Sequence, residues 1–404
     1  MRKSFLMLGA AIVAMTSCTQ SEVLEVAQQP EKLIGFAPFV DKQTRATDDI
    51  TDDVNSGFQE FYVFGAKGSL DDAGSFTKDN ETSEPYYLDH VMVSGGKGNW
   101  SYSPHKPWIA DKTFRFAAYA NGKGNGVSEN SEVKLPDYDA ENTTSHSIQF
   151  VPNESKIIKE ETKDESGEII EAAEIGYVWG LNINNYTASD RDLIAAIPGQ
   201  KTIGEDLTTA PPSVGLTFKH LLAKVIIQFR YTANANNAAL SLEVEPFSFS
   251  AYKTGNCQVR FTGVENNTVI GANWNGFENQ NMDTYNLFEQ VSQGESGGQV
   301  NQSWNSGNIQ SEVYVIPQSN ENIIIEKISI PSKNNNNEET SLMVYENVSL
   351  KIENHTNWLP GYVYRYIADI TPGEHYIHFT TSVTSWIDED NRNQTITGGT
   401  QQEQ

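Results

Sequence analysis

The stretch VGLTFKHLLAKVIIQFRY, Val214 to Tyr231, constrains the fold more than any other part of the chain. Val214, Leu216, Phe218 and His220 share one face of an extended strand, after which the phase slips by one so that Ala223, Val225, Ile227 and Phe229 share a face. Side chains alternate across a strand with a period of two, so such a slip in a straight strand would turn its core face to solvent. A bulge or a short turn is therefore expected over His220 to Ala223. The rest of the chain has the same character. Short runs rich in Val, Ile, Tyr, Phe and Thr recur between clusters of Gly, Asn, Asp and Pro, and hardly any segment sustains an apolar period of 3.6 residues. FQEFYVFGAKG, from Phe58, carries apolar residues on both faces over Phe61 to Phe64, as a strand buried on both sides would. The pattern predicts an all-β chain of sandwiches or barrels. Lys156 to Glu174 is the exception, dense in charge, and reads equally as a short helix or as a two-stranded arm turning at Glu165-Ser166-Gly167.

At the N-terminus, Arg2 and Lys3 precede an apolar run, Phe5 to Ala14, too short to span a bilayer as a helix. It reads as a secretory signal. Cys18 follows the small residues Thr16 and Ser17 and resembles a bacterial lipobox, in which the thiol is acylated and becomes the mature N-terminus; the other reading is an ordinary signal peptide with an incidental cysteine. The only other cysteine is Cys257, so stability has to come from a packed core rather than a disulfide framework. The 404 residues are enough for two domains of ordinary size. Fifty-three acidic residues against 28 basic give a net charge of −25, which argues against nucleic acid or anionic lipid as a partner. A domain boundary is expected at GQKTIGEDLTTAPPS, Gly199 to Ser213, where apolar content falls and Pro211-Pro212 stiffens the chain.

Motifs for catalysis are weak throughout. GKGNG at Gly122 is a hairpin-type turn with no helix after it to bind a phosphate. His375 and His378, three apart on an expected strand, point to opposite faces and cannot share a metal. DEDN at Asp388 lacks two of the oxygen ligands a calcium loop requires. Cys257 reads as a small buried side chain. No catalytic residue, metal site or cofactor is expected. Trp274 and Trp304 differ from the other aromatics in lying in Gly- and Asn-rich segments, where they are candidates for stacking on a sugar.

Eight segments, in order, resemble the fimbrillins, pilin-like lipoproteins of Gram-negative anaerobes. They are the lipobox, IGFAPFVDKQTRA at Ile34, NWSYSPHKPWIADKTFRFAAYA at Asn99, DLIAA at Asp192, VGLTFKHLLAKVIIQF at Val214, VYVIPQ at Val313, WLPGYVYRYIADI at Trp358 and IHFTTSVTSWID at Ile377. The resemblance implies two consecutive transthyretin-like β-sandwich domains, 46–205 and 206–388, preceded by a signal peptide, 1–17, and a leader, 18–45, and followed by a polar tail, 389–404. It implies a non-enzymatic fimbrial subunit exported to the outer membrane on a lipid at Cys18 and cut at the cell surface between Arg45 and Ala46. The cut would release a first strand comprising Leu33, Ile34, Phe36, Phe39 and Val40. Other fimbrial subunits would be its partners through strand exchange, with a host or bacterial surface receptor beyond them. Local sequence agrees with cutting, since Asp48, Asp49, Asp52 and Asp53 and then Gly57 make an exposed, loop-like segment. Shaft subunits of that family donate a strand from the C-terminus. Here the residues after Trp386 hold only Ile387 and Ile396 as large apolar side chains, which suits a tip or accessory subunit better. The competing expectation is a surface glycan-binding lipoprotein that uses Trp274 and Trp304.

Overall fold

The computed structural model describes residues 32–40, 60–72, 74–81, 84–96, 99–124, 148–158, 174–189, 191–231, 241–264, 267–278, 281–288, 303–304, 307–371, 377–385 and 399–401. Within them the regular structure is all β apart from 3-10 turns at Leu207–Thr209 and Asn281, as the absence of a helical period predicts. The strands form four sheets that pack as sandwich layers.

The first sheet runs in the order Phe36–Val40, Val214–His220, Arg191–Ala196, Thr113–Gly124, Glu60–Leu70, Leu88–Gly96, Asn99–Ser101. Its middle strands are buried on both faces, as the apolar run at Phe61 to Phe64 requires. Phe61, Val63, Phe114, Phe116 and Ala118 point into one core. Phe64, Ala66, Ala117 and Tyr119 point the other way, against Phe150, Trp179 and Leu181 of the second sheet. Between these two sheets Arg115 is buried, its guanidinium lying 4.7 Å from the Phe76 ring and 4.5 Å from the Trp179 ring. It donates to Gln200 Oε1 and to the Pro152 carbonyl, so a buried cation is held by rings and neutral acceptors.

The second sheet joins strands from both halves of the chain. Ile148–Ile158 and Glu174–Thr187 form an antiparallel pair out to Ile158 opposite Glu174, which is the two-stranded arm allowed by the sequence; its expected turn at Glu165 lies outside the described residues. The free edge of Glu174–Thr187 then pairs with Thr254–Val264, which pairs in turn with Asn267–Asn275. The third sheet, Gly307–Val315, Ala223–Tyr231, Tyr362–Asp369, His378–Ser385 and Gly399–Gln401, faces a fourth built on Phe247–Tyr252 and Ile324–Lys333. Their common core is continuous with the one beneath the second sheet.

The phase slip proves to be the place where the chain changes sheets. Val214–His220 lies in the first sheet and Ala223–Tyr231 in the third, with Leu221 and Leu222 fully buried between them. Every strand change leaves backbone groups to satisfy. Here Leu221 N–H donates to Leu193 O at 2.9 Å, Trp274 Nε1 donates to Leu221 O at 2.8 Å, and Gly361 N–H donates to Leu222 O at 2.9 Å. His220 Nδ1 meets the buried Asp192 carboxylate at 2.5 Å. The chain thus leaves the first sheet and enters the third at Leu221–Leu222. The segment before Val214 is no free linker, because Trp108 Nε1 donates to Pro211 O at 3.1 Å and Ala210 is buried in the first core.

A bulge sits in Leu88–Gly96, where the register with Glu60–Leu70 shifts between Val63 and Gly65. His90 adopts φ 50° there, which turns its ring onto Tyr62 at 4.4 Å and 6° and brings Nε2 to the Tyr119 hydroxyl. Burial lowers the His90 pKa from 6.5 to about 4. A buried neutral histidine binds fewer protons than the unfolded chain, so its contribution to stability is lost as pH falls from 6.5 through about 4. In urea titrations at pH 7 and pH 4.5, His90→Gln should lose less stability on acidification than the parent chain. Because the second sheet and its core draw on both halves, calorimetry should show one unfolding transition. Trp274→Phe, which strips the Leu221 carbonyl of its donor, should lower stability by about 1–3 kcal/mol while leaving the transition single.

Candidate functional site: the groove under the leader strand

The leader strand Phe36–Val40 lies parallel to Val214–Phe218, with Phe36 opposite Val214, Pro38 opposite Leu216 and Val40 opposite Phe218. Val214–His220 reaches its other neighbour, Arg191–Ala196, only at Lys219 and His220. Over Val214–Phe218, therefore, every strand pairing among the described residues is made with the leader. The ladder begins one residue earlier, where Val214 N–H donates to Gly35 O at 2.8 Å.

Alternation puts Ile34, Phe36 and Pro38 inward, and all three are buried. Phe36 fits a box of rings: Tyr102 at 5.5 Å, Phe116 at 5.9 Å and 85°, and Phe61 at 6.3 Å and 90°. Edge-to-face geometry of this kind adds to the burial of area. Burying Ile34 and Phe36 is worth about 1.5–3 kcal/mol each. Gly35 passes close to the chain before the receiving strand, such that a Cβ there would lie 2.9 Å from Pro212 O. A backbone oxygen cannot swing away as a side-chain end can, so the position calls for glycine.

The residues just before the strand are held from the other side. Ile34 N–H donates to Lys106 O at 2.9 Å, Trp108 N–H donates to Lys32 O at 2.8 Å, and the Tyr102 hydroxyl donates to Ile34 O at 3.0 Å. Burial raises the Tyr102 pKa, which keeps that hydroxyl a neutral donor. Lys32 Nζ caps the Ala210 carbonyl. Since Gly35 turns its carbonyl toward the receiving strand and Ile34 turns its N–H away, Pro38 presents its ring nitrogen to the outer edge. Proline has no N–H to offer, so that position cannot donate to a further strand, and among the described residues the sheet ends at the leader.

The residues singled out in the sequence fall as follows. Ile34 and Phe36 fill the groove, while Leu33 is 44% exposed and only bridges to Pro107. Phe39 and Val40 extend the ladder opposite Thr217 and Phe218. Cys18, Arg45 and Ala46 lie outside the described residues, as do His375 and Asp388. Trp274 is not a loop residue. It stands in Asn267–Asn275, is 9% exposed, packs on Tyr186 at 5.8 Å and spends its N–H on Leu221, so its ring is part of the core. Trp304 is in the short strand Ser303–Trp304, opposite Leu242. Burial pushes the thiol of Cys257 well above its usual range, leaving it protonated beside Trp274's strand. Gly35, Tyr102 and the Trp108 backbone were not foreseen as groove-makers. For Tyr102 and Trp108 the signal was the aromatic-rich run NWSYSPHKPW at Asn99.

A fimbrial protein from Bacteroides vulgatus superimposes with a TM-score of 0.46 at 14% identity, covering 88% of this chain and 99% of that one. The fimbrial anchor protein Mfa2 from Porphyromonas gingivalis gives 0.29 at 8% identity, covering 88% and 98%. No curated protein matches significantly by sequence. The profile of the fimbrillin-like family matches residues 44–386, most of the chain, and the chain belongs to that family, whose members are structural, non-enzymatic subunits of cell-surface fimbriae.

Proposed function

We propose that this protein is a tip or accessory subunit of a fimbrium whose leader strand is a removable occupant of its own groove. It is exported as a lipoprotein through Cys18, carried to the outer membrane and cut between Arg45 and Ala46. The strand Leu33–Val40 then gives way to a strand from a neighbouring subunit, and the assembly serves adhesion or biofilm formation. The observation that carries this reading is the leader's pairing: it is the ladder partner of Val214–Phe218 and fills an aromatic box. A strand edge left unpaired beside such an apolar groove recruits another strand, and backbone hydrogen bonds with alternate side-chain pockets are how β-augmentation gives affinity. Head-to-tail donation of this kind does not close on itself and produces a filament.

The support for cutting is local. Arg45 is the only arginine between Arg2 and Arg115, and Arg115 is buried. An arginine-specific protease acting on the folded chain therefore has its first target immediately after the leader. The tail after Trp386, with two large apolar residues, supports a subunit that receives a strand and donates poorly.

N-terminal sequencing of protein isolated from the cell surface should return Ala46, and Arg45→Ala should leave a blocked, acylated N-terminus at Cys18. Surface protein that starts upstream of Leu33 despite an intact Arg45 would overturn the reading. In the uncut chain, Phe36→Ala should lower stability by about 3–5 kcal/mol, read from chemical denaturation, because the ring's box cannot collapse around the loss.

A further inference from the structure

We infer that the groove vacated by the leader selects a strand reading aliphatic–glycine–aromatic, and that the subunit supplying it is a different protein and not a second copy of this chain. The inference rests on the leader's removal and names the partner that follows.

Three adjacent positions of the present occupant set the requirement. The first inward position, Ile34, is 1% exposed and sits where its backbone is fixed by Lys106 and Tyr102. The next faces the receiving strand, where Pro212 O stands 2.9 Å from any Cβ and admits only glycine without moving backbone. The third, Phe36, touches three rings within 6.3 Å, two of them edge-on. A smaller side chain would leave a void lined by aromatic carbon, and voids of that size in a rigid wall are not refilled by relaxation. Pro38, two residues on, is buried with its nitrogen to the outer edge, a position that tolerates a residue with no N–H.

The sequence can be searched for this pattern. Aliphatic–Gly–aromatic occurs twice, at Ile34-Gly35-Phe36 and at Ile175-Gly176-Tyr177. The first is the leader, which lies ahead of the cut. The second is inside Glu174–Thr187, where its residues already pair with Ile157 and neighbouring positions of the arm. The residues after Trp386 contain no aromatic residue at all. Within residues 46–404, then, a second copy has no further aliphatic–Gly–aromatic segment to offer the groove. Selection against self is built in by two features at once, a glycine-only passage and an aromatic pocket.

The test uses the full chain nicked at Arg45 by an arginine-specific protease, with the leader still bound. Synthetic peptides covering Lys32–Lys42 compete for the groove, and displacement of the leader is read by native mass spectrometry. The unaltered peptide should displace it. Peptides carrying Gly35→Val or Phe36→Ala should each need at least tenfold higher concentration, and a peptide of Asn391–Gln404 should not compete. The nicked chain kept alone should not form SDS-resistant ladders. Equal competition by the Gly35→Val peptide, competition by the tail peptide, or ladders from the nicked chain alone would each overturn the inference while leaving strand replacement standing. Failure of the unaltered peptide to exchange at any concentration would instead remove the replacement reading itself, and the inference with it.

Discussion

The backbone of Val214–Phe218 is the constraint on which the rest depends. It is continuous through two buried leucines with Ala223–Tyr231, which is paired on both edges inside the third sheet. Yet for most of its own length its ladder partner is a segment of five residues from the far N-terminus. Two consecutive strands therefore link a segment paired on both edges in the third sheet to the leader's edge of the first. Whatever fills the groove is bonded directly to a rod that runs into the centre of the molecule.

The rigidity of that rod comes from the crossing at Leu221–Leu222. Its polar backbone groups are met by Leu193, Trp274 and Gly361, which come from three separate strands or strand ends. Trp274 is the telling case. It belongs to Asn267–Asn275, a late strand that returns to the sheet begun by Ile148–Ile158, so one indole N–H ties the crossing to a sheet shared by both halves. Two sandwiches joined by a flexible linker would let a pulled strand drag one domain away from the other. A shared sheet and a clamped crossing put the load on many ladder bonds at once.

Much of this was legible in the sequence because strand formation follows local pattern. The period of two at Val214–Phe229 gave the strands, and its slip gave the break between them. The slip could not say that the two pieces belong to different sheets, since phase reports which face a residue takes and not which neighbour it pairs with. For the same reason the proline-marked segment at 199–213 looked like a linker. Its attachment to Trp108 is a contact across 103 residues that no local signal encodes. The groove was half visible: Ile34 and Phe36 alternate as core residues must, whereas the demand for glycine at 35 arises from Pro212, far away in sequence. Trp274 was misread because Gly and Asn around it suggested a loop, when they are the end of a hairpin whose last ring turns inward.

The proposed removal of the leader has a thermodynamic logic that a peptide cut alone would not complete. Before the cut, Phe36–Val40 is tethered to Glu60, and binding its groove is an intramolecular event favoured by a high effective concentration. On the proposed reading, cutting after Arg45 would leave the contacts of Ile34 and Phe36 intact and turn their dissociation into a two-body equilibrium. The groove would then hold the leader only as strongly as those contacts allow, and a tethered neighbour with a better-matched or longer strand would compete with the advantage of effective concentration on its side. On that reading the cut would be a change of tether and not of fit, and the aromatic box that holds the leader would also hold its replacement.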